Sequence, residues 1–155
     1  SDLMTTMADV LDVKLPDTCA EDSVSNLPLW KDPKGAEVRK DIVHQSIDGS
    51  LSIRRGQYKL ELCPGSGGWS DPVPGKEDPE APRFQLYDLS VDISERRNVI
   101  EEHLELASEL KEILKGYIEN GRSTPGASQS NNGQRIWDTI GWLDEEDNGR
   151  IKIYK

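Results

Sequence analysis

The run DIVHQSIDGSLSIRRGQYKLELCPGSGGWSDP, residues 41–72, decides how this chain folds. Leu51, Ile53, Tyr58, Leu60 and Leu62 recur at every second position around Arg55-Gly56-Gln57. Side chains alternate between the two faces of a strand, so this spacing buries one face while the glycine reverses the chain. Asp41–Ile47, Leu51–Arg55 and Tyr58–Cys63 are therefore expected as antiparallel strands. The run ends in Pro64-Gly65-Ser66-Gly67-Gly68-Trp69-Ser70-Asp71-Pro72. Glycines let a backbone come close to a partner, and Trp69 offers a flat apolar face of the kind that stacks on rings, sugars included. The competing reading is a surface turn with Trp69 folded back as a lid over the core.

Outward from this run, Pro72, Pro74, Pro79 and Pro82 interrupt regular structure until Phe84–Leu89, where Phe84 and Leu86 alternate with Gln85 and Tyr87 as a further strand. Ser94-Glu95-Arg96 marks a helical start, and Leu106, Leu110, Ile113, Leu114 and Tyr117 trace an amphipathic stripe. Gly121 is expected to supply the left-handed cap at its end. The fold class is α+β: a small antiparallel sheet of three to four strands, covered on one face by a C-terminal amphipathic helix, with long loops.

Towards the N-terminus, Leu3, Met7, Val10 and Leu11 share one face of a short helix over residues 1–15, capped by Ser1 or Asp2. Residues 16–40 read as a connecting arm pinned by Trp30, and residues 41–121 as the α+β body. Residues 122–155 read as a flexible crossing rich in Ser, Asn, Gln and Gly, followed by a Trp-rich tail. Ile136, Trp137, Ile140, Trp142 and Leu143 should return to the body, either onto the sheet face left open by the helix or against a further domain. The acidic run Asp144–Ile151 has the look of a calcium loop, but Lys155 stands where a bidentate glutamate is needed, and a turn explains it more simply.

At 155 residues the chain suffices for one modest core. A formal charge of −10 repels phosphate backbones and anionic membrane surfaces, which argues against nucleic-acid and membrane partners. Cys19 and Cys63 lie in unrelated contexts that neither demand nor exclude a disulfide, and free thiols are the default. No apolar stretch is long enough to span a bilayer, and no signal peptide is visible at the N-terminus.

The segments VHQSIDGSLSIRRGQYKLELCPGSGGWSDP, QLYDL at Gln85–Leu89 and DISERRNV at Asp92–Val99 resemble, in that order, the C-terminal subdomain of the arylsulfatase-type sulfatases. The resemblance extends from Ser1-Asp2-Leu3-Met4-Thr5-Thr6, similar to a helix that packs on the catalytic domain, to about Gly126. It implies a partner in the N-terminal catalytic domain of the same enzyme, and a periplasmic or secreted setting. The family's chemistry uses formylglycine, made from the cysteine of a Cys-x-Pro-Ser-Arg motif, beside a divalent metal such as calcium. Cys63-Pro64-Gly65-Ser66 departs from that motif, with proline directly after the cysteine and Gly67 in place of the arginine. Only His44 and His103 are present, so no histidine cluster can be assembled. No cofactor, metal ligand or catalytic residue is therefore expected in this chain.

The resemblance instead implies a subdomain of a sulfuric ester hydrolase that shapes the substrate pocket, the substrate being a sulfated glycan or an aryl sulfate. His44, Ser46, Ser66 and Trp69 are the candidate substrate-binding residues. His44, Ser46 and Asp48 lie at period two and so share a face of the first strand. Arg54, Arg55 and Lys59 could supply attraction for a sulfate, although alternation away from Ile53 implies that at least one of them simply faces solvent. The alternative is a non-catalytic carbohydrate-binding or protein-interaction module that keeps the subdomain fold.

Overall fold

The computed structural model describes residues 1–131, 133 and 138–144, and the chain forms two compact units. One unit comprises residues 41–115 with the described part of 134–155, and the other comprises residues 1–40 with 116–133.

The first of these is the α+β body. Strands β1 (Asp41–Gln45), β2 (Leu51–Arg55), β3 (Tyr58–Glu61) and β4 (Gln85–Asp88) form one sheet in that order, each pair antiparallel. Val43 stands opposite Ile53, Ile53 opposite Leu60 and Leu60 opposite Leu86, so one row of apolar side chains crosses all four strands. Ile53, Leu60 and Leu86 are fully buried. Helix α3 (Leu104–Asn120) covers that face with Ala107, Leu110 and Leu114, as the stripe predicts, and Gly121 follows it at φ 63°. Arg55 ties sheet to helix by pairing with both Asp41 and Glu109.

Several boundaries differ from the sequence reading, among them β4, which spans Gln85–Asp88 and not Phe84–Leu89. Strand β1 stops at Gln45 because the Ser46 N–H bonds back to the Ser50 carbonyl at 2.8 Å and Gly49, at φ 94°, closes the turn. Strand β3 stops at Glu61, where the loop at Cys63 begins. The helical start at Ser94-Glu95-Arg96 does not form. The Asp92 carboxylate there accepts the N–H groups of Arg96 and Arg97 at 2.7 and 2.8 Å. Asn98 then holds the chain beside β4, its Oδ1 accepting the Leu86 N–H at 2.9 Å while the Val99 N–H reaches the Leu86 carbonyl. Helix α3 begins only after the short 3-10 turn Ile100–Glu102.

The tail returns to this body, but on the helix side and not on the open sheet face. Ile140 and Trp142 are buried, and the Lys111 ammonium of α3 lies 5.9 Å from the Trp142 ring and 5.8 Å from that of Phe84. Ile136, Trp137 and the acidic stretch from Glu145 onward lie outside the described residues.

In the other unit, helices α1 (Leu3–Val10) and α2 (Leu27–Lys31) are held by polar side chains. Asp2 makes no side-chain cap to α1. Its carboxylate instead pairs with Arg39 and accepts the Val24 N–H at 3.1 Å, and these contacts keep its pKa below the usual carboxylate value although burial opposes them. The buried Thr6 hydroxyl donates to the Asp2 carbonyl at 2.6 Å and accepts the Asn26 N–H at 2.9 Å. Trp30 does not pin the arm, since 58% of its surface is exposed. The buried Arg122 guanidinium fastens the opposite end, donating to Asp17 Oδ1 and to the carbonyls of Thr124 and Ala127. The apolar stripe of α1 is left outward within this unit, with Leu3 67% and Leu11 71% exposed. Among the described residues, no helix is long and apolar enough to cross a membrane.

Candidate functional site: the glycine and tryptophan loop

Strand alternation that sends Val43, Ile53, Leu60 and Leu86 under α3 sends their neighbours to the other face of the sheet. His44, Ser52, Glu61 and Gln85 form one cross-strand row there, and Ile42, Arg54, Lys59 and Tyr87 the next. The loop that follows Cys63 is built from the edge of this polar face.

Gln85 is the loop's main anchor. Its amide donates to the carbonyls of Cys63 at 2.9 Å and Gly65 at 2.8 Å, and its oxygen accepts the Tyr87 hydroxyl at 2.5 Å. Burial pushes the Tyr87 phenol up to about 12 and the Cys63 thiol up to about 11, with Glu61 adding to both. Both groups therefore stay neutral, Tyr87 as a hydrogen-bond donor and Cys63 as a thiol donating to the Gly65 carbonyl at 3.2 Å.

From that base the loop is tied across its own neck. The Ser66 N–H reaches the Pro72 carbonyl at 3.1 Å, and its hydroxyl donates to the Ser70 carbonyl at 2.7 Å while accepting the Gly68 N–H at 3.0 Å. A third brace comes from the β1–β2 turn, where the Asp48 N–H donates to the Gly67 carbonyl at 3.2 Å. Two of the glycines are required by this packing. A Cβ on Gly65 would lie 2.7 Å from the Pro72 carbonyl, and one on Gly67, which sits at φ 62°, would lie 2.8 Å from Ser46 Cβ. Gly68 is different, with space for a side chain on an open surface. So crowding accounts for two of the three glycines.

Ser46 and the Ser66–Gly68 segment are thus brought into contact. His44 lies two residues before Ser46 on the polar face, and its pKa falls below 6.5 because of desolvation and the nearby Lys59 charge. Protonation of His44 is disfavoured in the folded state, so any stability it affects is present above that value and declines as pH falls through it. Trp69 stands at the loop's tip with 88% of its surface exposed, which rules out a core lid. Ile47, 70% exposed, comes within 3.7 Å of the position a Gly68 Cβ would take.

The cations are mostly committed elsewhere. Arg55 pairs with Asp41 and Glu109, and Lys59 with Glu61 and Glu95, whose charges raise the Lys59 pKa even though burial lowers it. Arg54 is exposed, its Nε donating to the Gly56 carbonyl at 2.9 Å. Gln85, Tyr87 and Glu95 are absent from the sequence-based site. The alternation of QLYD around Leu86 was the available signal, because it places Gln85 and Tyr87 off the core face.

No family model matches the chain. Over 118 residues it is 35% identical to an N-acetylgalactosamine-6-O-sulfatase of Bacteroides thetaiotaomicron, an alignment covering 73% of this chain and 22% of that protein. The chain carries a sulfatase C-terminal subdomain. A solved structure from work on the metabolism of multiple glycosaminoglycans by Bacteroides thetaiotaomicron superposes on the sulfatase subdomain with a TM-score of 0.59 at 32% identity, covering 74% of this chain and 24% of that one. A further Bacteroides thetaiotaomicron structure described as a sulfatase shares the fold at 21% identity, with a TM-score of 0.53 over 86% of this chain and 31% of that one. The subdomain thus spans less than a third of the length of each of these relatives.

Among the described residues, the surroundings of Cys63 do not fit formylglycine. Cys63 is buried, faces Gly65 and precedes Pro64. Among the described residues, no three His, Cys, Asp or Glu side chains are grouped to hold a metal ion.

Proposed function

We propose that this sulfatase subdomain shapes the substrate pocket of a sulfuric ester hydrolase whose nucleophile and metal belong to a catalytic domain outside this chain. One observation carries the reading: an almost fully exposed tryptophan at the tip of a loop that Gln85, Ser66 and Asp48 brace from separate directions. Side chains left in water at such tips contribute nothing to folding, whereas a rigid aromatic on a braced loop loses little entropy when a ring stacks on it. Trp69 forms the stacking face for the sugar of a sulfated glycan, or for the ring of an aryl sulfate. Ser46, Ser66 and His44 supply hydrogen bonds beside it. The name of the N-acetylgalactosamine relative favours a sulfated sugar over the aryl ester.

The catalytic domain is the natural cover for the outward apolar stripe of α1, in which Leu3, Val10 and Leu11 are half or more exposed. Residues 41–121 are the functional body in this reading, and residues 1–15 the docking element. Export to a periplasmic or extracellular compartment suits polymeric sulfated substrates.

Sulfate release separates the possibilities. Hydrolysis of a sulfate ester needs a preorganised nucleophile and charge stabilisation at the leaving oxygen, so the purified chain should release no sulfate from an aryl sulfate or a sulfated disaccharide above a buffer control. The complete polypeptide should release it. Release by the chain alone, persisting through further purification, would contradict the assignment of the chemistry. Saccharide binding by a complete polypeptide with no sulfate release would instead select the non-catalytic binding module.

A further inference from the structure

Beyond the loop's own hydrogen bonds, a continuous path joins it to the C-terminal tail. Two 3-10 turns within Asp138–Asp144, joined by a kink at Ile140, are anchored in the body by Ile140, which is 0% exposed, and Trp142, which is 2% exposed. The Trp142 indole N–H donates to the Thr139 carbonyl at 3.2 Å, fixing the backbone from which Thr139 projects. The Thr139 hydroxyl then donates to the Gly49 carbonyl at 3.0 Å, across 90 residues of sequence. Gly49 lies at φ 94°, and a Cβ there would stand 3.1 Å from Thr139 Oγ1. The contact is close and uses a conformation that glycine adopts freely.

Gly49 belongs to the same turn that braces the glycine and tryptophan loop. Its N–H donates to the Ser46 carbonyl at 3.0 Å, and the neighbouring Asp48 accepts the Ser50 N–H at 2.8 Å and the Ser50 hydroxyl at 3.0 Å. Asp48 then passes its own N–H to the Gly67 carbonyl, while Ser46 fills the space under Gly67. We infer that the tail is a strut for the loop, with Thr139 a positioning residue that sets the pose of Ser66–Trp69 through the Ser46–Ser50 turn. The functional meaning of that pose rests on the substrate-rim reading above, but the coupling itself does not.

Thermodynamic logic limits what Thr139 does. One neutral hydrogen bond is a small part of the stability of a body with a four-stranded core, yet it is a large share of what holds the five-residue turn Ser46–Ser50. Its loss should loosen the turn and loop without opening the sheet.

Amide hydrogen exchange on the chain reads this directly. Thr139→Val keeps the side-chain volume and removes the donor. Exchange at the Asp48 amide, which bonds to Gly67, and at the Gly68 amide, which bonds to Ser66, should quicken by about fivefold. The Leu62 amide, bonded to Leu51 across β2 and β3, and the Val99 amide, bonded to Leu86, should keep their wild-type rates. Thr139→Ser retains the hydroxyl and should restore slow exchange at Asp48 and Gly68. Unchanged exchange at Asp48 in Thr139→Val would overturn the proposal. Equal acceleration at Leu62 and Val99, or loss of the folded sheet, would also overturn it by making Thr139 an ordinary stabilising contact. Because no substrate is involved, failure here leaves the substrate-rim reading standing, and failure of that reading leaves the strut intact.

Discussion

Trp69→Ala should leave the melting temperature of the chain nearly unchanged while lowering kcat/KM of the complete enzyme for a sulfated sugar by about tenfold to thirtyfold. Both halves follow from one number, the 88% exposure of the indole. Truncating a buried tryptophan leaves a cavity and costs about 3–5 kcal/mol, but a side chain already in water leaves none, and surface changes of this kind stay within about 0.5 kcal/mol. That corresponds to a shift of roughly 2 °C or less for a chain of this size. The kinetic loss reflects removal of an aromatic stacking face, worth about 1.4–2 kcal/mol when it acts as a binding hot spot. Differential scanning calorimetry on the chain and steady-state kinetics on the complete polypeptide measure the two halves. A fall of 10 °C or so would show Trp69 packed against the body, and unchanged kinetics would remove it from the substrate rim.

Leu110→Ala should have the opposite profile. Leu110 is fully buried on α3, in the face that closes over Ile53, Leu60 and Leu86. Removing its three outer carbons loses transfer free energy and leaves a cavity that neighbouring strands cannot fill without breaking register, a loss of about 2–5 kcal/mol. The melting temperature should drop by on the order of 10 °C. Ile113, one helical turn round and only half-buried, provides the contrast, and its truncation should cost markedly less. Equal small losses at both positions would mean that α3 does not seal the core.

Much of this architecture is written locally in the sequence. Period-two alternation from Leu51 to Leu62 placed β2 and β3, and the stripe from Leu106 to Tyr117 placed α3, because each pattern reports directly which face is buried. What could not be read depends on side chains that reach across the fold. The start of α3 moved to Leu104 because Asp92 and Asn98 hold the preceding backbone against β4, and no local propensity records those bonds. Trp30 is the only large aromatic of its arm and so looked like its pin, yet Asp2, Thr6 and Arg39 hold that unit by hydrogen bonds and charge.

At the site, the glycines of the loop were legible as a special backbone but not as to cause. Gly65 and Gly67 are needed by Pro72 and Ser46, and only the folded chain brings those groups near. Sequence spacing paired Ser46 with His44, and the cross-strand register then added Gln85 and Tyr87, which strand alternation alone put off the core face without linking them to the loop. The basic residues illustrate the same limit. Arg55 and Lys59 read as sulfate attractors until their acidic neighbours, distant in sequence, are seen to occupy them.

The coding sequence immediately upstream of Ser1 offers the most direct test of the claim that this chain is the pocket-shaping part of a sulfatase. An open reading frame that continues through a Cys-x-Pro-Ser-Arg motif, several hundred codons before Ser1, is the expected result. A start codon immediately before Ser1, with no such motif in frame or in a partner gene beside it, would contradict the assignment and leave a binding module in its place.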